Sequence, residues 1–195
     1  MTKITEIKTE RLLMRQWREE DLFDFWLLNS DPEVMEYLPE IPSEEDSNIL
    51  AEKIIKLIAR NGWGFWAIET LNDNSFIGFV GLNEPKYELP VNPCVEVGWR
   101  LARKYWGNGY ATEAGNASLD FAFDNLNVNE IYSFTSVANK KSQAVMERLN
   151  MINTHSNFNH PTIPDDSPYR EHVLYKIDKE NWSNEKYVGS EHRFL

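Results

Sequence analysis

The apolar residues of this chain repeat in two different ways along its length. In residues 3–16 they fall at alternate positions, as in a β-strand, whereas in residues 43–58 they return every three or four positions, as on one face of a helix. Ser43 and Asp46 resemble a capping box at the start of that helix. The spacing predicts strands at 3–16, 63–70, 76–83, 94–101, 128–137, near 151–158 and 171–178, and helices at 22–26, 43–58, 110–124 and 140–149.

This order of elements predicts an α/β fold in which a mixed sheet lies between helices on both of its faces. The chain has 195 residues, which corresponds to one domain. We assign residues 1–179 to that domain and residues 180–195 to a C-terminal tail. Trp182 and Tyr187 in the tail leave open whether it packs against the domain.

The charge of the chain narrows its range of partners. Twenty Lys and Arg residues stand against 31 Asp and Glu residues, which gives a formal net charge of −11. Such a surface repels nucleic acids and anionic membranes. It suits a cationic partner such as an amine, or it serves only to keep the protein in solution, and the charge alone favours neither reading.

Cysteine and histidine exclude two further classes of protein. Cys94 is the only cysteine, so neither an intrachain disulfide nor a Cys-based metal cluster can form. The four histidines show no metal-ligand spacing, and we predict that no metal is needed.

No apolar stretch approaches the roughly 20 residues of a membrane span, and the first residues lack an apolar signal core. The sequence therefore predicts a cytoplasmic protein.

The strand at residues 94–101 carries unusual polar side chains. Alternation places Glu96, Gly98 and Arg100 on one face of this strand. A glycine inside a strand suggests a bulge or a close approach of another group to the backbone.

The turn that follows this strand is suited to an anion. Gly107 and Gly109 open the next helix, where unpaired backbone N–H groups and the helix dipole favour a pyrophosphate. Arg103 and Lys104 add positive charge beside them. The turn lacks the third glycine of the dinucleotide fingerprint and the Gly-Lys-Ser/Thr ending of the NTPase loop, so those two ligand classes are disfavoured.

The same segment resembles the acyl-CoA motif of the GNAT N-acetyltransferase superfamily. Glu96-Val97-Gly98-Trp99 and residues 104–114, Lys-Tyr-Trp-Gly-Asn-Gly-Tyr-Ala-Thr-Glu-Ala, carry this resemblance, and the second run looks like the ribosomal-protein-acetylase-like (RimJ/RimL-like) branch. Residues 9–15, 76–82 and 139–149 are similar to other parts of that branch in order and spacing. The resemblance covers roughly residues 6–178 and implies an acyl-CoA N-acyltransferase fold with a mixed, mostly antiparallel sheet.

This resemblance implies that acetyl-CoA is the acetyl donor. The strands at 94–101 and 129–137 would separate, so that the pantetheine arm enters between them and the backbone near Val97 polarises the thioester carbonyl. Asn139 and Ser142 would face the cysteamine end. The implied cofactor-binding residues are Val97, Trp99 and Leu101 along the strand, Lys104, Gly107, Asn108, Gly109, Tyr110, Ala111 and Thr112 around the pyrophosphate, and Asn139 and Ser142.

The resemblance also implies that the amine attacks the thioester directly, which requires a base and an acid. Glu96 is the candidate base, acting through water, and the alternative is a structural carboxylate paired with Arg100. The tyrosine that many members use as the acid is replaced by Met146. Ser142 is the candidate replacement, and the alternative is a residue that satisfies the start of its helix.

The acceptor side is less defined by the sequence. Trp63, Asn83, Glu84 and His160 are the candidate substrate-binding residues. The acceptor is predicted to be an amine: a protein N-terminus, a polyamine or another small amine. A non-catalytic acyl-CoA-binding regulatory module is the rival hypothesis, and dimers are frequent in families that resemble this one.

Overall fold

The elements of the fold follow the predicted order closely. A computed structural model describes residues 2–38 and 40–183. The elements are β1 (Ile7–Lys8), β2 (Leu12–Arg15), α1 (Asp21–Asn29), α2 (Glu44–Asn61), β3 (Phe65–Thr70), β4 (Phe76–Asn83), β5 (Glu96–Leu101), a 3-10 turn (Arg103–Tyr105), α3 (Tyr110–Asn125), β6 (Glu130–Ser136), α4 (Lys140–Arg148), β7 (Ile152–Asn153), β8 (Phe158–Asn159) and β9 (Glu171–Asp178).

The strands form one mixed sheet in the order β1-β2-β3-β4-β5-β6-β9-β7, with β8 also paired to β9. The pair β5–β6 is parallel, and the other pairs of this sheet are antiparallel. The predicted α/β class, with a mixed and mostly antiparallel sheet, is therefore confirmed.

Two apolar clusters cover opposite faces of the sheet. Trp66 and Val80 belong to the larger cluster with residues of α3 and α4, whereas their strand neighbours Ala67 and Phe79 belong to a second cluster with residues of α1 and α2. This alternation is the strand period of two, and it places the helices on both faces as predicted. On β5, Val97, Trp99 and Leu101 consequently face α3, whereas Gly98 and Arg100 face the side of α1 and α2.

The helix boundaries confirm the local signals in the sequence. The Ser43 hydroxyl accepts a hydrogen bond from the Asp46 backbone N–H at 3.1 Å, and the Asn139 side chain accepts one from the Ser142 N–H at 3.1 Å. Each contact satisfies one N–H group that the first turn of a helix leaves unpaired. Asn150 has a φ of 58°, the left-handed conformation expected after α4.

Two of the predicted strands are interrupted. Residues 3–16 were expected to form one strand, but the Thr9 N–H bonds the Leu12 carbonyl and the Thr9 hydroxyl accepts from the Leu12 N–H, which turns the chain between β1 and β2. The region near 151–158 likewise divides into β7 and β8, with His155 at a φ of 56° between them. Polar turn residues override the apolar alternation at both places.

The chain beyond residue 179 begins by packing against the domain. Trp182 is buried, its ring lies 6.4 Å from that of Phe123, and its indole N–H donates to Asp120 at 2.9 Å. Tyr187 lies outside the described residues. The division between residues 1–179 and a tail stays a prediction.

Candidate active site

The parallel strands β5 and β6 separate soon after they meet. They pair at Glu96 and Tyr132, where the Tyr132 N–H donates to the Val95 carbonyl at 3.0 Å, and the ladder ends there. On its other edge β5 stays paired with β4 in unbroken register from Glu96 to Leu101. The far edge of β5 therefore offers backbone groups to a ligand that enters between the two strands.

The register of β5 corrects one expectation about Gly98. This residue pairs regularly with Gly81, so no bulge is present at this point. A Cβ on Gly98 would instead lie 3.2 Å from Cε1 of Phe65, so the glycine makes room for that ring. The close approach predicted for Gly98 comes from a side chain on β3.

The predicted cofactor residues on β5 direct their side chains towards α3. The side chains of Val97 and Leu101 are buried in the cluster beneath α3, and Trp99 packs partly against the same cluster. The side chains of Val97 and Leu101 are therefore directed away from the gap, and that of Trp99 is partly exposed. This arrangement fits the backbone role that the resemblance implies.

The turn before α3 leaves donors free for an anion. Gly107 and Gly109 have φ values of 78° and 80°, which disfavour other residues. Gly109 is the N-cap residue of α3, and no side chain caps this helix within the described part of the chain. Lys104 and Asn108 are exposed beside the glycines, and Tyr110, Ala111 and Thr112 form the first turn. The first backbone N–H groups of α3 therefore face a shallow, open turn.

The positive charges near this turn differ from those expected. Arg103 lies 3.3 Å from Asp31 and also pairs with Glu33, so two carboxylates compensate the positive charge that it brings next to the turn. Lys104 remains available, with its amine 4.9 Å above the ring of Tyr105. Lys141 places its amine 4.6 Å above the ring of Trp106. Lys141 is not among the residues predicted for the site, because only the fold brings the start of α4 beside the turn.

Glu96 is the buried carboxyl group at the point where the strands separate. Its side chain is on the α1 and α2 face, only 9% of the residue is exposed, and its Oε1 accepts a hydrogen bond from Asn83 Nδ2 at 2.9 Å. Burial raises the pKa of Glu96 from 4.5 to about 7, although the hydrogen bond from Asn83 acts in the opposite direction. The carboxyl group can therefore accept or release a proton near neutral pH.

Arg100 does not pair with Glu96. Its Nη1 donates to Asn29 Oδ1 at 2.7 Å, and Asn29 in turn donates to Ser47 on α2 at 2.8 Å. Burial lowers the pKa of Arg100 to about 10, so the side chain stays cationic at neutral pH. Among the described residues no carboxylate forms an ion pair with this guanidinium. The structural alternative for Glu96, an ion pair with Arg100, is wrong.

Ser142 keeps the capacity to donate a proton. Asn139 Nδ2 donates to the Ser142 hydroxyl at 3.2 Å and to Thr135 at 3.0 Å, so the serine oxygen is held as an acceptor. The hydroxyl hydrogen of Ser142 is then left for another partner. Met146, at the position where the resemblance implies a tyrosine, is 1% exposed in the core and its thioether cannot donate.

The candidate acceptor residues fall into two groups. Trp63, Asn83 and Glu84 line one small depression at the end of α2, and Asn83 also reaches Glu96. Glu84 is exposed and lies 3.3 Å from Lys86. Trp66, on the neighbouring strand β3, is fully buried in the core and does not line this depression.

His160 lies apart from that depression, within a group of aromatic rings. Its ring is 4.9 Å from Tyr87 and 4.8 Å from His172. Burial, with a smaller contribution from His172, lowers the pKa of His160 to about 4. The imidazole is therefore neutral at pH 7, and Nδ1 lies 3.1 Å from the Thr162 hydroxyl. Burial, with a smaller contribution from the charge of Glu96, raises the pKa of Tyr87.

The described residues form neither a metal-ligating cluster nor a membrane-spanning helix. No group of three or more His, Cys, Asp or Glu residues in the described ranges is arranged to hold a metal ion. No helix among the residues that the structure describes is long and apolar enough to cross a membrane.

Comparison with known proteins identifies the class to which this fold and this gap belong. Residues 11–152 match the acetyltransferase (GNAT) domain family. The chain therefore belongs to the GNAT acetyltransferase family, and the family predicted from the sequence is confirmed.

Two curated relatives carry names that state an activity. The FsC-acetyl coenzyme A-N(2)-transacetylase of Aspergillus fumigatus is 29% identical over 160 residues, which cover 80% of this chain and 68% of that protein. The spermidine N(1)-acetyltransferase of Vibrio cholerae is 29% identical over 142 residues, which cover 73% of this chain and 79% of that protein.

Solved structures agree with the fold. A GNAT-family acetyltransferase from Bacillus anthracis superposes with a TM-score of 0.74 at 26% identity, covering 90% of this chain and 99% of that one. The ribosomal-protein-S5-alanine acetyltransferase from Vibrio fischeri has a TM-score of 0.68 at 18% identity, covering 91% of this chain and 98% of that one. The second structure shares the fold.

Proposed function

We propose that this protein transfers the acetyl group of acetyl-CoA directly to an amine of near-neutral pKa, such as the α-amine of a peptide or an amino-acid derivative, with Glu96 as the base. The observation that carries the proposal is the placement of Glu96. A buried carboxyl group with a pKa of about 7 lies at the point where β5 and β6 separate. The donor fits the same place, because the gap, the uncapped start of α3 and the amines of Lys104 and Lys141 suit pantetheine and pyrophosphate.

The pKa of Glu96 favours one class of amine over another. An α-amine has a pKa of about 7.7–8.0, so moving its proton to a group of pKa about 7 costs about 1 kcal/mol. A lysine-type amine or a polyamine has a pKa of about 10.4, and the same transfer costs about 5 kcal/mol. Glu96 is therefore matched to the less basic amine.

Arg100 supports the same choice. It projects from the same face of β5 as Glu96 and carries a positive charge that no described carboxylate neutralises. A polyamine that carries several positive charges would meet repulsion there, whereas a peptide or a carboxylate-bearing amine would not. A relative named for spermidine shows that the family also acts on polyamines, so the acceptor has to be argued from the site rather than from the family.

The remaining steps are assigned to residues of this chain. A backbone N–H near Val97 would stabilise negative charge that develops on the thioester oxygen. Ser142 would donate a hydrogen bond or a proton to the departing thiolate, because Asn139 holds its oxygen as an acceptor and leaves its hydrogen free. Direct transfer needs no covalent enzyme intermediate.

The experiment that tests this proposal compares acceptors under matched conditions. Thiol release from acetyl-CoA would be followed with a short peptide that has a free N-terminus and no lysine, and with spermidine, from pH 6 to pH 9. We expect a higher kcat/KM for the peptide at neutral pH. A preference for spermidine would contradict the assignment of the acceptor, and binding of CoA without any turnover would favour a regulatory acyl-CoA-binding module instead.

A further inference from the structure

The turn between β1 and β2 reaches across to the start of α3. Its residues, Thr9 and Arg11, are more than 100 positions away in the sequence from Glu113, which lies in the first turn of α3. Thr9 donates its hydroxyl hydrogen to Glu113 Oε1 at 2.6 Å, and the Arg11 backbone N–H donates to the same oxygen at 2.9 Å. The Arg11 guanidinium donates through Nε to Oε2 at 2.6 Å, and its Nη2 lies at the same distance from that oxygen.

These contacts occupy the whole carboxylate of Glu113. A carboxylate has about four acceptor positions, and here four N–H or O–H groups point at its two oxygens. Burial acts to raise the pKa of Glu113, but the hydrogen bonds from Thr9 and Arg11 outweigh it and the pKa is lowered overall. Glu113 is therefore ionised at neutral pH, and its charge is compensated on the side of the N-terminal hairpin.

An uncompensated carboxylate at this position would oppose the binding of a pyrophosphate. The first turn of a helix attracts anions through its free N–H groups and its dipole, and a side-chain carboxylate competes for the same field. Arg11 removes that competition because it neutralises Glu113 at contact distance.

Arg11 also holds the turn itself. Its Nη1 donates to the carbonyl of Asn108 at 2.9 Å, and its guanidinium carbon lies 4.7 Å from the ring centre of Tyr110. Asn108 lies between Gly107 and Gly109, whose backbone freedom would otherwise let the turn vary. A Cβ on Gly109 would lie 3.5 Å from Nη2, so the guanidinium runs along the turn at contact distance.

We infer that Arg11 is a positioning residue for the pyrophosphate of acetyl-CoA: it fixes the Gly107–Gly109 turn and neutralises Glu113, so that the first N–H groups of α3 stay available to the anion. This inference rests on the proposed function, because it assumes that the turn binds the donor. It assigns no contact between Arg11 and the reacting atoms.

The test uses two acetyl donors that differ in the part Arg11 would serve. Acetyl-CoA carries the pyrophosphate, whereas S-acetylpantetheine carries the same thioester without it. For Arg11→Gln we expect the KM for acetyl-CoA to rise about 10-fold, the size of one lost hydrogen bond to a charged group, with kcat and the KM of the amine little changed. The kcat/KM for S-acetylpantetheine should stay at the wild-type value.

A second pair of variants separates positioning from folding. In the double variant Arg11→Gln with Glu113→Gln, removal of the uncompensated charge should restore part of the affinity for acetyl-CoA. Arg11→Lys keeps the charge and guards against a variant that fails to fold. Arg18→Gln is the matched control, since Arg18 is a half-exposed arginine in an ion pair with Glu69 and contacts neither the turn nor α3.

Calorimetric measurement of CoA binding distinguishes a failure of the proposed function from a failure of the inference about Arg11. If the wild-type protein does not bind CoA, the proposed function fails and this inference fails with it. If the wild-type protein binds CoA and Arg11→Gln binds it equally well, only the inference is overturned. Equal losses of kcat/KM with both donors would also overturn it, because a general structural defect does not distinguish between them.

Discussion

Replacement of Glu96 by Gln separates chemistry from structure at the centre of the site. Gln has nearly the same shape, and its side-chain oxygen can still accept the hydrogen bond from Asn83 Nδ2. What it loses is the ability to take a proton. We expect kcat at pH 7 to fall about 10²- to 10⁴-fold, the usual contribution of one general base. The affinity for CoA should change little, because backbone groups bind it.

The pH dependence of this variant follows from the same carboxyl group. In the wild-type protein kcat/KM for the amine should rise as Glu96 loses its proton near pH 7. Glu96→Gln should lack that rise, and its deficit should shrink at high pH, where solvent deprotonates the amine. The profile is measured by thiol release between about pH 5 and about pH 9, roughly two pH units either side of the pKa of about 7.

Glu96→Gln should make the folded protein more stable at pH 8, whereas the loss of a structural contact would make it less stable. The folded pKa of about 7 lies above the ordinary value of 4.5, so ionised Glu96 opposes folding. The stability that its protonated form provides is complete below about pH 4.5 and is lost as the pH rises to about 7, where the loss reaches about 3 kcal/mol. Glu96→Gln avoids that loss, so its melting temperature should exceed that of the wild type at pH 8 and approach it at pH 4.

The control for Glu96→Gln is the same substitution at an exposed glutamate. Glu52→Gln makes the same chemical change on an exposed face of α2, in an ion pair with Lys56, and should alter neither kcat nor the difference in melting temperature between pH 4 and pH 8. A kcat for Glu96→Gln close to that of the wild type at pH 7 would refute Glu96 as the base. A lower melting temperature than the wild type at pH 8 would refute the burial argument.

Three further predictions concern the donor side of the site. Acetyl-CoA at 100 times its dissociation constant should stabilise the fold by about 2.7 kcal/mol, seen as a higher melting temperature, and no shift would exclude binding to the folded protein. Gly109→Val should weaken CoA binding at least about 10-fold, because valine disfavours a φ of 80° and would disturb the turn. The circular dichroism spectrum should stay unchanged. An unchanged affinity would place the pyrophosphate elsewhere. Ser142→Ala should lower kcat about 10- to 100-fold, because the hydroxyl assists the leaving thiolate. The control is Ser156→Ala on an exposed turn. A normal kcat for Ser142→Ala would leave Ser142 with a role at the start of its helix only.

Local signals in the sequence predicted the parts of the fold that depend on near neighbours. Two helices are capped by Ser43 and Asn139, each through a residue three positions further along the chain, and Asn150 takes its left-handed conformation directly after α4. Such signals can be recognised because the residues involved are close together in the sequence. The turn with Gly107 and Gly109 was predicted for the same reason, since a positive φ is a property of the single residue.

Contacts between distant segments could not be predicted from one sequence. Asn83 approaches Glu96 because β4 and β5 pair in a particular register, and Arg100 reaches Asn29 across 71 positions. The contact of Arg100 with Asn29 leaves Glu96 without an ion-pair partner among the described residues, and the burial of Glu96 raises its pKa to about 7. Alternation along β5 alone left both points open. Arg103 shows the opposite case. It is next to the turn in the sequence, but in the fold its guanidinium pairs with Asp31, which follows α1.

The most direct test of the account is acetyl transfer to one defined amine. Two peptides of the same lysine-free sequence, one with a free N-terminus and one with the N-terminus blocked, would be incubated with acetyl-CoA and the wild-type protein at pH 7.5. The account predicts that the free thiol appears in step with the acetylated peptide, and only when the N-terminal amine is free. Equal thiol release with both peptides, or no acetylated product from the free peptide despite bound CoA, would contradict it.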